Sequence, residues 1–146
     1  MTAAFSIDRE TGHIRIGDTV VLCAGEHRAT VEPQIIPWLE GSRDHGNGFA
    51  WLDLRGLTFG SQPAHLSLCF HGGLLDQASW SVRLADAEMQ SGWPTRAAID
   101  AEIAFVHRTL ASEMGMAAGE LAWGEVWSQF DPKGFLASNG LRYRRP

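Results

Sequence analysis

Two neighbouring stretches near the middle of the chain alternate apolar and polar side chains with a period of two. They are His65–His71 and Gln77–Leu84, and Gly72-Gly73 directly follows the first of them. This period is typical of a strand with one buried face, because successive side chains of a strand point to opposite sides. The pattern therefore predicts an antiparallel hairpin that turns at the two glycines.

Shorter apolar runs predict further strands nearer the N-terminus. Phe5–Ile7 and His13–Ile16 flank a polar segment that ends in Gly12, which indicates an N-terminal hairpin. Phe49–Leu54 is largely apolar at odd and even positions alike, as expected for a central strand that is covered on both faces. Gly41–Gly48 contains three glycines and almost no apolar side chain, so it is predicted to be a loop.

The end of the chain predicts a second hairpin, formed by Trp123–Phe130 and Phe135–Tyr143. The connection Asp131-Pro132-Lys133-Gly134 has each residue type at the place it prefers in a type I turn. Trp123 and Trp127 recur with the strand period on one face of the first arm. This spacing predicts that both indoles pack against the sheet and do not form a free binding surface.

Thr95–Met114 has the pattern of a long amphipathic helix. Its apolar residues recur every three or four positions, at Ile99, Ile103, Val106, Leu110 and Met114. Gly115 suits the end of this helix, because glycine adopts the left-handed cap conformation without a steric penalty. The apolar spacing of Thr30–Leu39 predicts a second, short helix despite its two prolines.

These elements predict the α+β class: an antiparallel sheet of about six strands, one long amphipathic helix packed on one face, and a C-terminal hairpin. A length of 146 residues is typical of one domain, so residues 1–146 are predicted to form a single domain. Hydrophobic residues make up 45% of the chain, which is enough to form a core.

Charge and cysteine content exclude several classes of function. The formal net charge of -5 opposes attraction to phosphate backbones, so no nucleic-acid partner is expected. Charged residues at positions 8–10 precede any long apolar stretch, so neither a signal peptide nor a membrane span is predicted, and a cytoplasmic location is expected. Cys23 and Cys69 are too few for a disulfide framework and are expected to be reduced, buried thiols.

His65, Cys69 and His71 share one face of a predicted strand and are the clearest candidates for chemistry. A structural zinc site needs four ligands, and the other His and Cys residues lack paired spacing, so no metal and no other cofactor is predicted. Neither a phosphate-binding glycine loop nor a Gly-x-Ser-x-Gly elbow occurs. A protein without enzymatic activity is favoured, and the alternative is a small-molecule-binding protein or small enzyme that uses this strand face.

The segment before the long helix combines carboxylates with large apolar side chains. Asp86 and Glu88 lie beside Met89 and Trp93, and no regular pattern there predicts an element that buries the apolar pair. Aromatic residues supply contact energy at interfaces and charges steer encounter, so these four residues are predicted to bind a basic protein partner. In the alternative interpretation, Trp93 folds back onto the start of the helix.

The ending WGEVWSQFDPKGFLASNGLRY resembles the C-terminus of a group of small, mostly uncharacterised bacterial proteins. The shared features are Trp123-Gly124, Ser128, the turn Asp131–Gly134 and a strand that ends in Arg142-Tyr143. The resemblance covers about the last third of the chain. In size and acidity such proteins are similar to immunity proteins, which neutralise a cognate toxin by binding it. The resemblance therefore implies a bacterial immunity protein whose partner is a basic toxin domain, as an expectation from analogy.

Overall fold

The computed structural model of this protein describes residues 2–145. Strands dominate it, with 49% of the residues in strands and 21% in helical conformation. The strands are, in chain order, β1 (Ala3–Ile7), β2 (Ile14–Ile16), β3 (Val20–Leu22), β4 (Leu39–Asp44), β5 (Phe49–Phe59), β6 (Gln62–His71), β7 (Leu74–Val82), β8 (Met89–Gln90), β9 (Trp93–Pro94), β10 (Gly119–Leu121), β11 (Gly124–Asp131) and β12 (Leu136–Tyr143).

Two helices accompany the strands. Helix α1 spans Arg28–Ile35 and continues into a 3-10 turn at Ile36–Trp38, and helix α2 spans Arg96–Met114. The α2 boundaries agree with the sequence prediction: the Thr95 side chain accepts a hydrogen bond from a backbone N–H of the first turn, and Gly115 closes the helix with a φ of 64°. Within residues 2–145, no helix has the length and apolar character needed to cross a membrane.

Ten strands form one mixed sheet in the order β10-β11-β12-β7-β6-β5-β1-β2-β3, and β4 pairs with β5 outside this path. The long strand β5 is the centre of the arrangement. One edge of β5 pairs with β6, while its other edge pairs first with β4 and then, beyond a register shift between Leu54 and Leu57, with β1. The β1–β5 pairing is parallel and the other pairings are antiparallel.

The predicted fold class is therefore wrong in its architecture. The prediction was an antiparallel sheet of about six strands with one long helix, and the structure has a ten-stranded mixed sheet, a separate two-stranded ribbon and two helices. Strands such as β3 and β10 have three residues each, too few to show a period of two. The parallel contact of Ala3 and Ala4 with Leu57 and Thr58 joins distant parts of the chain, and no local pattern signals it.

The segment predicted as a loop, Gly41–Gly48, is also corrected. Its first half belongs to β4, which pairs with β5 from Leu39 to Asp44, so only residues 45–48 connect the two strands. The strand is solvent-exposed over most of its length, which explains its polar composition. Edge strands tolerate polar and glycine residues because one side and one edge remain hydrated. The short helix predicted at Thr30–Leu39 begins two residues earlier and changes to the 3-10 form around Pro37.

The hairpins predicted from the alternation are confirmed. Strands β6 and β7 pair around Gly72-Gly73, and β11 and β12 pair from Gly124–Tyr143 to Asp131–Leu136. The connection of the second hairpin differs from prediction in one respect: Phe135, with a φ of 51°, adopts the left-handed conformation, whereas Gly134 does not. The Asp131 carboxylate accepts a hydrogen bond from the Lys133 N–H at 3.0 Å and supports the turn.

Both tryptophans of the C-terminal hairpin are packed, as predicted. The Trp123 indole donates a hydrogen bond to the Arg9 carbonyl at 2.9 Å and contacts the Tyr143 ring. The Trp127 indole lies across Gly140 on the neighbouring strand and donates to the Ser138 hydroxyl at 3.1 Å. Glycine at position 140 leaves the space that this indole occupies, because a Cβ there would collide with the ring.

Gly140→Ala should destabilise the fold by about 1–3 kcal/mol, because the added methyl group overpacks the sheet beneath Trp127. A Cβ at position 140 would also lie 3.0 Å from the Ala78 carbonyl, so a shift of the indole alone does not relieve the clash. Urea denaturation measures the change in the free energy of unfolding. Gly41→Ala is the matched control, since no atom lies within 4 Å of a Cβ at that strand position. Equal stability of the two variants would contradict the assigned packing.

Candidate functional site

The segment between β7 and α2 forms a small β-ribbon that stands apart from the main sheet. Strands β8 and β9 pair with each other, and Ser91 and Gly92 connect them with positive φ angles of 54° and 82°. Two central residues with positive φ define a type I′ turn, whose twist matches that of the strands it connects. The Thr95 N–H also donates to the Glu88 carbonyl at 3.0 Å, which extends the ribbon to the start of α2.

The two large apolar side chains of the ribbon lie on opposite faces of it. Met89 pairs directly with Pro94, and Gln90 pairs directly with Trp93. Directly paired residues share a face and consecutive residues do not, so Met89 and Trp93 point to opposite sides. Met89 is 55% exposed and Trp93 is 63% exposed, although both are large hydrophobic residues. Trp93 therefore does not fold back onto the helix, which was the alternative interpretation of the sequence.

All four residues predicted to contact a partner are solvent-exposed. Asp86 and Glu88 precede the first strand of the ribbon, and Met89 and Trp93 belong to its two strands. The structure brings them together in one projecting element, but it separates the two apolar side chains between two faces. Met89 and Trp93 therefore cannot belong to one flat contact patch. Both could contact a partner if the ribbon inserted into a groove of that partner.

The Met89–Pro94 face of the ribbon borders a cleft of about 710 Å³. The cleft is also lined by residues from the β5 bulge, the start of β6, the end of β7 and the first turns of α2. Its apolar lining comprises Leu57, Pro63, Ala64, Val82, Leu84, Ala87, Met89, Pro94 and Ala98. Its ionisable lining residues are Arg55, His65, Arg83 and Glu102.

Glu102 connects α2 to the sheet through a buried polar network. Its Oε2 atom accepts hydrogen bonds from the Val82 N–H at 3.1 Å and from the Asn139 side-chain amide at 2.8 Å. The same Asn139 amide donates to the Trp80 carbonyl at 3.0 Å, and the Ser128 hydroxyl donates to Asn139 Oδ1 at 2.6 Å. Strands β7 and β12 thus bond the helix at one carboxylate, and β11 joins the network through Asn139.

The environment of Glu102 disfavours its charged form. Burial raises the pKa of the Glu102 carboxyl above its ordinary value, and the hydrogen bonds from Val82 and Asn139 oppose this rise only in part. Desolvation penalises an ion more than a neutral acid, which explains the direction. A carboxylate with a raised pKa at the wall of a cleft is a common feature of functional sites.

The prediction from sequence did not include Glu102, although a signal was present. Glu102 follows Ile99 by three positions and precedes Val106 by four, so it lies inside the apolar stripe of α2. A charged residue in such a stripe indicates either a hydrogen-bond partner inside the folded chain or a functional role. The partner, Asn139, lies 37 positions away, and no sequence pattern connects the two.

The strand face formed by His65, Cys69 and His71 does not converge on one site. The two histidines lie six positions apart along β6, which corresponds to roughly 20 Å. His71 stacks against Phe49 with 4.4 Å between ring centroids, and Cys69 is fully buried. Burial raises the pKa of the Cys69 thiol, which disfavours the nucleophilic thiolate. Among residues 2–145, no group of three His, Cys, Asp or Glu side chains is placed to hold a metal ion.

Both cysteines are free, as the sequence predicts. Cys69 is buried, whereas Cys23 is only partly buried, so the prediction of two buried thiols is right for one of them. Burial raises the pKa of the Cys23 thiol as well, and the Glu26 carboxylate adds to the rise.

Glu102→Gln should change how stability depends on pH. A raised carboxyl pKa means that the folded chain holds the proton more tightly than the unfolded chain, so the wild-type protein loses this stabilising contribution as pH rises through the folded-state pKa. The glutamine carbonyl can accept the same two hydrogen bonds without a charge. We therefore expect the variant to gain stability relative to wild type as pH rises from acidic to neutral, measured by urea denaturation at each pH.

The matched control for this experiment is Glu113→Gln, which removes a solvent-exposed carboxylate from the same helix. Its pH profile should follow that of the wild-type protein. A Glu102→Gln profile that also runs parallel to wild type would contradict the assigned desolvation.

Comparison of the chain with protein-family models, with curated proteins and with solved structures finds no match.

Proposed function

We propose that this chain is a non-enzymatic bacterial binding protein of the immunity type, which neutralises a cognate toxin by binding it through the β8–β9 ribbon. One observation carries the proposal: Trp93 and Met89 are 63% and 55% exposed at opposite faces of a tight ribbon. Large apolar side chains in water gain the most from burial, and tryptophan is enriched among the residues that dominate interface energies.

The shape of the ribbon supports a role in recognition. A type I′ turn and the hydrogen bond from Thr95 to Glu88 hold the two strands in one conformation. A preorganised contact element loses less conformational entropy on binding than a flexible loop does. The ribbon also continues directly into the capped start of α2, so its position relative to the core is defined.

The charges around the ribbon favour a basic partner. Asp86 and Glu88 are exposed beside it, and the whole chain has a net charge of -5. The nearby Arg96 directs its guanidinium to the Asp100 carboxylate at 3.0 Å and lies over the Phe130 ring. Arg96 therefore offsets the acidic pair less than an unpaired cation would. The proposed partner is a basic toxin domain, and the proposed location is the cytoplasm.

Trp93→Ala should weaken binding to the cognate toxin by roughly 2 kcal/mol, or about 30-fold in Kd, mainly through faster dissociation. The toxin candidates are the products of genes adjacent to the gene for this chain, and surface plasmon resonance measures both rate constants. Ile36→Ala is the matched control, because Ile36 is an apolar residue with similar exposure of 59% on the 3-10 turn. Equal losses in the two variants would exclude the ribbon as the contact.

Asp86→Lys combined with Glu88→Lys should slow association with the same toxin, because the steering charge is reversed. Added salt should reduce the difference from wild type, since exposed charges are screened over about 8–10 Å. Asp18→Lys combined with Glu120→Lys is the control, as it makes the same change in net charge at exposed positions outside the ribbon. An association rate that depends only on net charge would argue against the ribbon as the docking element.

Growth rescue tests the immunity role itself. Co-expression of wild-type chain with its cognate toxin should restore growth, and the Trp93→Ala variant should restore it less well. If no neighbouring gene product binds the chain or is neutralised by it, the immunity proposal fails.

A further inference from the structure

We infer that the cleft between the ribbon and α2 receives a basic side chain of the partner, an arginine or a lysine, with its cationic group at Glu102. This inference rests on the proposed function, because it assigns a partner residue to the cleft that the ribbon overhangs. It adds a specific recognition site to a contact that was argued above only from exposed apolar surface and overall charge.

The walls of the cleft suit the aliphatic stem of a long basic side chain. Met89 and Pro94 form the ribbon side, and Val82 and Leu84 form the side that belongs to the end of β7. Lysine and arginine bury their methylene groups along apolar surface while the charged end reaches a polar partner. A cleft of about 710 Å³ is large enough for one such side chain with its flanking backbone.

Glu102 supplies the partner for the cation. Its Oε2 atom accepts the hydrogen bonds from Val82 and Asn139, whereas its Oε1 atom accepts none from residues 2–145. Oε1 retains solvent access, and Glu102 is one of the residues that line the cleft. A guanidinium or ammonium group that reaches Oε1 makes a charge-assisted hydrogen bond in surroundings that are poorer in water than the surface.

The negative charge is not needed for the structural role of Glu102. A glutamine carbonyl would accept the same hydrogen bonds from Val82 and Asn139, and it would avoid the cost of a desolvated charge. The carboxylate therefore provides a negative charge that the hydrogen-bond network does not need. A cationic ligand benefits from it directly, because pairing offsets the cost of desolvating the carboxylate.

The cationic residues that line the cleft attract an anionic ligand only weakly. Arg55 forms an ion pair with Glu40, so its charge is already partnered. Arg83 and His65 are solvent-exposed, and interactions of exposed charges are weakened by water and salt. Of the ionisable residues that line the cleft, Glu102 is the partly buried carboxylate, so a cation that pairs with it offsets the cost of its desolvation.

The test is an NMR titration of the full chain with N-acetyl-arginine amide. N-acetyl-citrulline amide is the matched control, because citrulline has nearly the same shape as arginine without its charge. We expect arginine to shift the Val82 backbone amide and the Asn139 side-chain amide, and to bind at least five-fold more tightly than citrulline. Glu102→Gln should abolish this preference, whereas Glu113→Gln should keep it.

Four results would overturn the inference. Equal affinity for arginine and citrulline would exclude a charge-specific site. Tighter binding of N-acetyl-glutamate amide would identify an anion site around Arg83 instead. Shifts that bypass Val82 and Asn139, or an arginine preference that survives Glu102→Gln, would place the contact elsewhere.

The same variants separate this inference from the proposed function. Loss of toxin binding in Trp93→Ala together with unchanged toxin binding in Glu102→Gln would retain the ribbon and exclude the cleft as a partner site. Glu102-dependent arginine binding in a chain that binds no toxin would retain the cation site and exclude the immunity role.

Discussion

The hydrogen bonds of the Glu102 carboxylate hold helix α2 against the sheet at the wall of the cleft, and the geometry of the candidate site depends on this contact. Glu102 accepts hydrogen bonds from β7 and β12 within a buried network that also reaches β11. The ribbon ends at Pro94, and α2 begins two residues later, so the position of the helix also determines where the ribbon projects. The cleft exists because the helix, the bulged strand β5 and the ribbon meet without filling the space between them.

The site combines features that stability alone does not explain. Burial of the Glu102 carboxylate costs free energy in the isolated chain, as its raised pKa indicates. Exposure of two large apolar side chains to water is also unfavourable. Proteins retain such local costs where a ligand or partner offsets them. Both costs occur in adjoining parts of the molecule, the cleft and the ribbon that borders it, which is why binding is the function we propose.

The other candidate residues from the sequence are explained by packing within the chain. Cys69 is buried beneath neighbouring side chains of the sheet, and His71 packs on Phe49, so both contribute to the packing of that face. Trp123 and Trp127 have defined hydrogen-bond acceptors within the chain and fill space beside Gly12 and Gly140. Their surface is used internally, whereas Met89 and Trp93 of the ribbon present more than half of their surface to solvent.

Local sequence determined those elements whose signals lie within a few residues. The alternation of β6 and β7, the cap residues Thr95 and Gly115 of α2, and the exposed acidic and apolar character of the ribbon segment are all local, because backbone periodicity and capping act over one or two turns. Tertiary structure alone decided the parallel pairing of β1 with β5, the use of the polar segment 39–44 as an edge strand, and the contact of Glu102 with Asn139. Each of these joins residues whose proximity depends on the complete sheet, and the burial that raises the Glu102 pKa arises only when α2 is packed against that sheet.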